Sequence, residues 1–294
     1  MSEARVPVDL FNPGQVFACL GLVELAAVLH GAARGGFDWN NDADVQFVLS
    51  SEGDECPVRA VIDFLRAAEV RSVSPSGSDL TTAKWNVPTS RSGLEKTYPF
   101  SEPDSPATLS ALLICGDQRI CISHWGEEAA KTGLDAVKFW AGSGGYPGAA
   151  LARDAITLLA EHSLDEQCAN PFNLGSVQTG SFRLEWRRDY VPLEIGFSLN
   201  RHAMIKPIGY PLVEILGAIG LSHARPKKNP QTKLEYEYGA LAVGSARTGE
   251  DAVFLRAALG GAQLPFDIRR FLMKLDWPGQ ENQARCIMTV EEIA

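Results

Sequence analysis

The sequence predicts an α+β fold, with mixed and mainly antiparallel sheets packed against several helices and one helix buried near the N-terminus. Three observations predict it. Apolar residues recur with helical period in several stretches, and other stretches alternate apolar and polar residues as strands do. The two kinds follow one another without the regular βαβ rhythm of a doubly wound sheet.

The first helix is expected over Pro13–His30. Asn12 precedes Pro13 and stands three residues before Gln15, so the Asn12 side chain can accept the Gln15 N–H while the Gln15 amide reaches back to the Asn12 N–H. Pro13 then falls at the first helical position, where its missing N–H costs nothing. Phe11 and Val16 stand where a hydrophobic staple packs. Beyond Val16 the segment is apolar on almost every face, which predicts burial on most sides. Gly21 costs about 1 kcal/mol in a helix interior, a cost usually accepted for close backbone approach. Glu24 is a carboxylate in an apolar wall, expensive unless paired. An arginine partner is the expectation, with a binding or catalytic carboxylate as the alternative.

Further helices are expected over residues 57–69, 148–162, 211–221 and 250–259. Residues 71–106 are rich in Ser, Thr and Pro and lack helical period, so they predict a long loop with short strands. "ALLICGDQRICISHW" reads as a hairpin turning at Gly116 and Asp117. In "FRLEWRR" Phe182, Leu184 and Trp186 alternate with Arg183, Glu185 and Arg187, a strand with one buried and one charged face. "LEYEYGALA" places Leu234, Tyr236, Tyr238 and Ala240 inward in the same way. Two closely packed α+β regions are expected, 1–175 with the long loop and 176–294 with a basic stretch.

The chain is 45% hydrophobic and 21% charged, ordinary for a globular protein. Its apolar run 16–29 is short for a bilayer and interrupted by Gly21 and Glu24, and no basic n-region precedes it, so a cytoplasmic protein without membrane partners is expected. The six cysteines form no C-x-x-C pair and the five histidines no metal-binding cluster, so neither metal nor cofactor is expected. A net charge of −9 argues against indiscriminate binding to nucleic acid, which phosphate neutralisation drives.

Charge is uneven, however. Arg183, Arg187, Arg188, Arg201, Lys206, Arg225, Lys227 and Lys228 gather in a short part of this acidic chain, as candidate contacts to nucleic-acid phosphates. The glycine-rich "GSGG" of Gly142, Ser143, Gly144 and Gly145 precedes a helix and could offer backbone N–H groups to phosphate. It lacks the Walker Lys-Ser/Thr pair and the G-x-G-x-x-G spacing, so it is either a plain turn or a loop touching a nucleic-acid backbone. His124 invites a hydrolase with Cys19 or Ser123 as nucleophile, but no G-x-S-x-G elbow or papain-like context accompanies it.

Three stretches, "VDLFNPGQVFACLGLVELA", "KFWAGSGGYPGAALARDAI" and "FRLEWRRDYVPLEIGFSLNRH" running into "YPLVEILGAIGLSHARP", in this order resemble the compact large-subunit-type protein of subtype I-G (formerly I-U) CRISPR systems. The resemblance spans most of the chain. Its recurring positions match Asn12, Pro13, Gly14, Gln15, Gly21 and Glu24, then Trp140, Ala141 and Gly142, then Arg187, Arg188, Asp189 and Tyr190. It implies a non-enzymatic subunit of a Cascade-type surveillance complex near the 5′ end of the guide. The implied partners are crRNA, target DNA, the backbone-forming and guide-processing subunits and the helicase-nuclease. The implied work is PAM recognition and support of R-loop formation. Net acidity is unusual for a DNA-contacting subunit, so a purely protein-binding subunit remains an alternative. A small hydrolase or transferase using His124 with Glu24 or a cysteine is the other.

Overall fold

A computed structural model describes residues 1–91, 103, 105–125, 146–178, 182–187, 207–232, 234–244, 249–276 and 286–293. The fold is α+β, as the sequence predicts. In chain order its main elements are β1 (Ser2–Pro7), α1 (Pro13–His30), β2 (Ala33–Asp38), β3 (Gln46–Ser51), α2 (Pro57–Ala67), β4 (Glu69–Val73), β5 (Thr89–Ser90), β6 (Ser110–Cys115), β7 (Gln118–Ile122), α3 (Gly148–Leu158), α4 (Leu164–Ala169), β8 (Ser176–Val177) and β9 (Ile208–Gly209). There follow α5 (Pro211–His223), β10 (Lys227–Lys228), β11 (Glu235–Leu241), β12 (Glu250–Asp251), α6 (Ala252–Leu259), β13 (Ile268–Asp276) and β14 (Cys286–Ile293). The strands form sheets in the orders β1-β3-β2-β12, β5-β4-β6-β7 and β10-β11-β13-β14, with β8 and β9 as a small pair. Among the described residues the paired strands are antiparallel except β4 with β5, and a single parallel bridge joins Phe37 to Ala242.

Helix α1 occupies the expected residues and lies in the core. Asn12 caps it, its Oδ1 accepting the Gln15 N–H at 3.4 Å. The reciprocal half of the expected capping box is absent: Gln15 Oε1 accepts the Asp9 N–H at 2.8 Å, and the Asn12 N–H donates to the Asp9 carbonyl. Phe11 sets its ring edge-on to Phe271, 5.2 Å between centroids, so its packing partner comes from β13. By length and composition α1 could cross a bilayer, but 78% of that stretch is buried inside the fold.

The second buried helix, α5, lies alongside α1. Gly14 comes near Gly217, and Glu24 meets His223, so the helices run in the same sense. A β-carbon on Gly21 would stand 2.0 Å from the Leu216 carbonyl oxygen, and one on Gly220 would stand 2.1 Å from that of Phe17. The expected close approach of Gly21 to another backbone is therefore found, with α5 as the partner. "LVEL" and "LVEI" put a carboxylate on each helix, Glu24 and Glu214, and both are buried.

Several expected boundaries shift for local reasons. The helix expected over 57–69 ends at Ala67 because Glu69–Val73 pairs with β6. The one expected over 148–162 closes in a 3₁₀ turn, Leu159–Glu161. The one expected over 211–221 runs to His223, and the one expected over 250–259 starts at Ala252 because Glu250 and Asp251 pair with β2. The 111–125 hairpin is found, with Gly116 at φ 57° in its turn. Part of the Ser/Thr-rich stretch is internally hydrogen-bonded: Ser72 Oγ contacts Thr82 Oγ1 at 2.6 Å and Thr89 Oγ1 at 2.9 Å, and Thr82 donates to the Val87 carbonyl.

The strand expected at 182–187 is overturned. Phe182 makes only an isolated bridge, the chain turns at Trp186 and Arg187, and Glu185 is buried rather than on a charged outer face. Side chains hold part of this segment: Glu214 Oε2 accepts the Leu184 N–H at 3.0 Å, and Glu185 Oε1 accepts from Asn12 Nδ2 at 2.6 Å. Gly14 lets the Leu184 carbonyl sit against the first turn of α1, where a β-carbon would be 2.3 Å away. One apolar cluster runs from Val6 to Ile287 and joins the two expected regions.

The backbone contact yields a direct expectation. Gly21→Ala or Gly220→Ala forces α1 and α5 apart and should cost about 3 kcal/mol or more of stability, at or beyond the usual cost of overpacking. Urea titration measures it; a destabilisation below about 1 kcal/mol would mean that the helices separate freely.

Candidate nucleic-acid interface

The cations singled out by sequence fall into two places. Arg188, Arg201 and Lys206 lie outside the described residues, as do Gly142, Ser143, Gly144 and Gly145, and with them Trp140, Ala141, Asp189 and Tyr190. Arg183 and Arg187 precede the start of α5, while Arg225, Lys227 and Lys228 follow its end. Arg187 lies over Tyr210 at the start of α5, thirteen helical residues or roughly 20 Å from its end, whereas Arg183 adjoins Leu184, whose side chain meets Gly217 in the middle of α5.

At the first place Arg187 works for the fold. Its Nε and Nη2 hold Glu185 at 3.0 and 2.9 Å, Nη1 donates to Asn173 Oδ1 at 2.6 Å, and Nη2 also donates to the Phe172 carbonyl at 2.5 Å. The guanidinium also lies over the Tyr210 ring, 4.1 Å from its centroid. Four of its five N–H groups are thereby used within the fold. Arg183, next to buried Leu184, is half-buried.

The second place gathers more cations than the sequence suggests. Arg225 Nε donates to the Leu221 carbonyl at 3.2 Å, just past α5, and its own carbonyl lies near the Gly260 turn. Lys227 lays its stem along Gly261 and pairs with Glu237 at 3.1 Å. Arg270, from β13, donates to the carbonyls of Gly261 and Ala262 at 3.3 and 2.8 Å. Arg256, from α6, grips Glu24 with Nε and Nη2, each at 2.5 Å. Exposed Lys228 adjoins Lys227 on β10. Arg225, Lys227, Arg256 and Arg270 are thus brought near one tight turn by different parts of the chain, with Lys228 exposed next to Lys227.

Arg256 and Arg270 escape a reading by sequence proximity, since only the fold brings them beside Arg225. Arg256 did leave a signal, as the single cation inside an apolar helix answering the single carboxylate inside another. The expected arginine partner of Glu24 is found in it. His223 Nδ1 approaches the same carboxylate at 3.4 Å, but burial and the nearby Arg256 outweigh Glu24 and hold the imidazole below its ordinary pKa.

The residues of the hydrolase reading are enclosed. His124 is 1% exposed, packed edge-on to Trp125 at 4.8 Å and beside Phe182. Burial and the Arg225 charge push its pKa well below the ordinary imidazole value. Burial likewise raises the thiol of Cys19 well above its ordinary range and that of Cys121 to about 11, which disfavours the nucleophilic thiolate. Among the described residues no three His, Cys, Asp or Glu side chains are grouped to hold a metal ion. Comparison with protein-family models, with curated proteins and with solved structures finds no match.

Buried His124 and the partly exposed His223 fix a pH dependence. A histidine held below its ordinary value of 6.5 binds fewer protons folded than unfolded, so its contribution is complete above that value and disappears as pH falls toward the folded pKa. The urea midpoint should therefore drop between about pH 7.5 and pH 5.5, and His124→Phe, which keeps a ring against Trp125, should flatten that drop. An unchanged slope in the variant would show that His124 does not titrate on unfolding.

Proposed function

We propose that the chain is a cytoplasmic, non-enzymatic subunit of a type I crRNA-guided CRISPR surveillance complex. In it the chain contributes to PAM and target DNA recognition and to R-loop formation, and offers a dock for the helicase-nuclease. The observation that carries this reading is that Arg225, Lys227, Arg256 and Arg270 come together near the 260–262 turn, with Lys228 exposed next to Lys227, in a chain with net charge −9. A local cationic patch suits phosphates held at one place, while an acidic remainder discourages wandering along nucleic acid and leaves broad surface for protein subunits. Guide pairing then reads the target sequence, and the subunit need supply only a few groove or backbone contacts. The order of the three resembling stretches supports the same reading.

The enzymatic alternative through His124 with Glu24 or a cysteine gains no support from geometry, because the imidazole is sealed in apolar packing and both Glu24 oxygens face Arg256. A subunit that touches only protein is separated by experiment. In a reconstituted complex with crRNA, Arg225→Gln, Lys227→Gln and Lys228→Gln together should weaken binding of a PAM-bearing duplex by about tenfold or more. They should also shallow the slope of log K against log salt by about 0.9 for each phosphate that the variant no longer neutralises. Equal affinity and equal slope in variant and parent would remove the DNA-contacting role.

A further inference from the structure

A surface cleft of about 210 Å³ opens between the β1–α1 connection, the loop before β3, and Arg187. That volume is below the range of drug-sized ligand pockets and suits one ring system. Its polar groups are arranged in two levels. At the floor lies Gln15, 3% exposed, whose Oε1 is fixed by the Asp9 N–H and whose Nε2 has no hydrogen-bond partner among the described residues. Beside it Arg187 keeps one Nη1–H beyond the one given to Asn173, and its guanidinium is held still by Glu185 and the Tyr210 ring. At the rim stand the exposed carboxylates of Asp9 and Asp44, and the buried side chains of Val8 and Val45 give the cleft apolar surface.

The charges narrow the ligand. Arg187 is neutralised by Glu185, so the rim carboxylates set the field, and a phosphate or carboxylate would be repelled at the mouth. A neutral planar group is needed that offers acceptors to the floor and donors to the rim. Guanine offers both, with O6 and N7 as neighbouring acceptors and N1–H and the 2-amino group as donors. Cytosine and adenine each bring a single amino group to two carboxylates. We propose that this cleft holds one unpaired guanine base, with O6 and N7 on Gln15 Nε2 and Arg187 Nη1 and with N1–H and the amino group on Asp9 and Asp44. The site stands independently of the cationic patch at the far end of α5, and the sugar and phosphate of the ligand lie outside it.

Calorimetric titration of the full chain with nucleosides tests it. Guanosine should bind saturably, with inosine, which lacks the 2-amino group, at least about fivefold weaker, and adenosine and cytidine weaker still. Asp44→Asn, a surface change that keeps an oxygen for Gln46, should weaken guanosine by about tenfold while leaving the urea midpoint in place. Tighter binding of the heptamer UUUGUUU than of guanosine would assign the base to a single strand, and the reverse to a free nucleoside; both support the site. Absence of saturable guanosine binding, inosine or cytidine binding as tightly as guanosine, or an unaffected Asp44→Asn variant would overturn it. Guanosine binding by a chain that shows no salt-dependent duplex affinity in its complex would leave this site standing and remove the proposed function.

Discussion

The carbonyl of Leu216 lies where a β-carbon on Gly21 would stand, and the carbonyl of Phe17 lies in the same relation to Gly220, so α1 and α5 touch backbone to backbone. Much of the molecule follows from this contact. Helices this close leave no room for side chains between them, and their remaining faces must be covered by other elements. Sheets from both ends of the chain and the helices α2 and α6 do so, and one apolar cluster results. Fourteen of the eighteen residues of α1 and eleven of the thirteen of α5 are buried.

Burying two helices of this kind also buries their carboxylates, and each is held differently. Glu24 takes a bidentate arginine from α6. Glu214 accepts a backbone N–H from the segment that passes over the start of α1, and nearby Glu185 collects Asn12 and Arg187. Removing one partner from such a group leaves a buried charge, a cost of several kcal/mol, so these pairs fix where α6 and the 182–187 segment can sit. The placement of Arg256 beside Arg225 in the cationic patch is a consequence of the Glu24 pair. That of Arg187 beside the surface cleft follows from Glu185.

What the sequence reveals tracks how local each cause is. The Asn12-Pro13 start of α1, the Gly116 turn and the inward tyrosines of β11 rest on neighbouring residues, and all are legible. The capping box Ser163-x-x-Glu166 that starts α4 was equally local, but the short helix lacks the periodicity that draws attention to it. The alternation in "FRLEWRR" misled because Glu185 has distant partners, Asn12 being 173 positions away, and these override a strand pattern. The costs at Gly21 and Glu24 announced that partners existed without naming them. Arg256 and Arg270 entered the patch, and Asp9 and Asp44 the cleft, only through tertiary placement.

Native-state hydrogen exchange tests most directly whether the α1–α5 contact holds the fold together. Amides in the middle of α1 and of α5 should exchange last, with the same opening free energy and the same dependence on urea, equal to those of global unfolding. Opening of either helix at a distinctly lower free energy, while the other stays protected, would contradict the account.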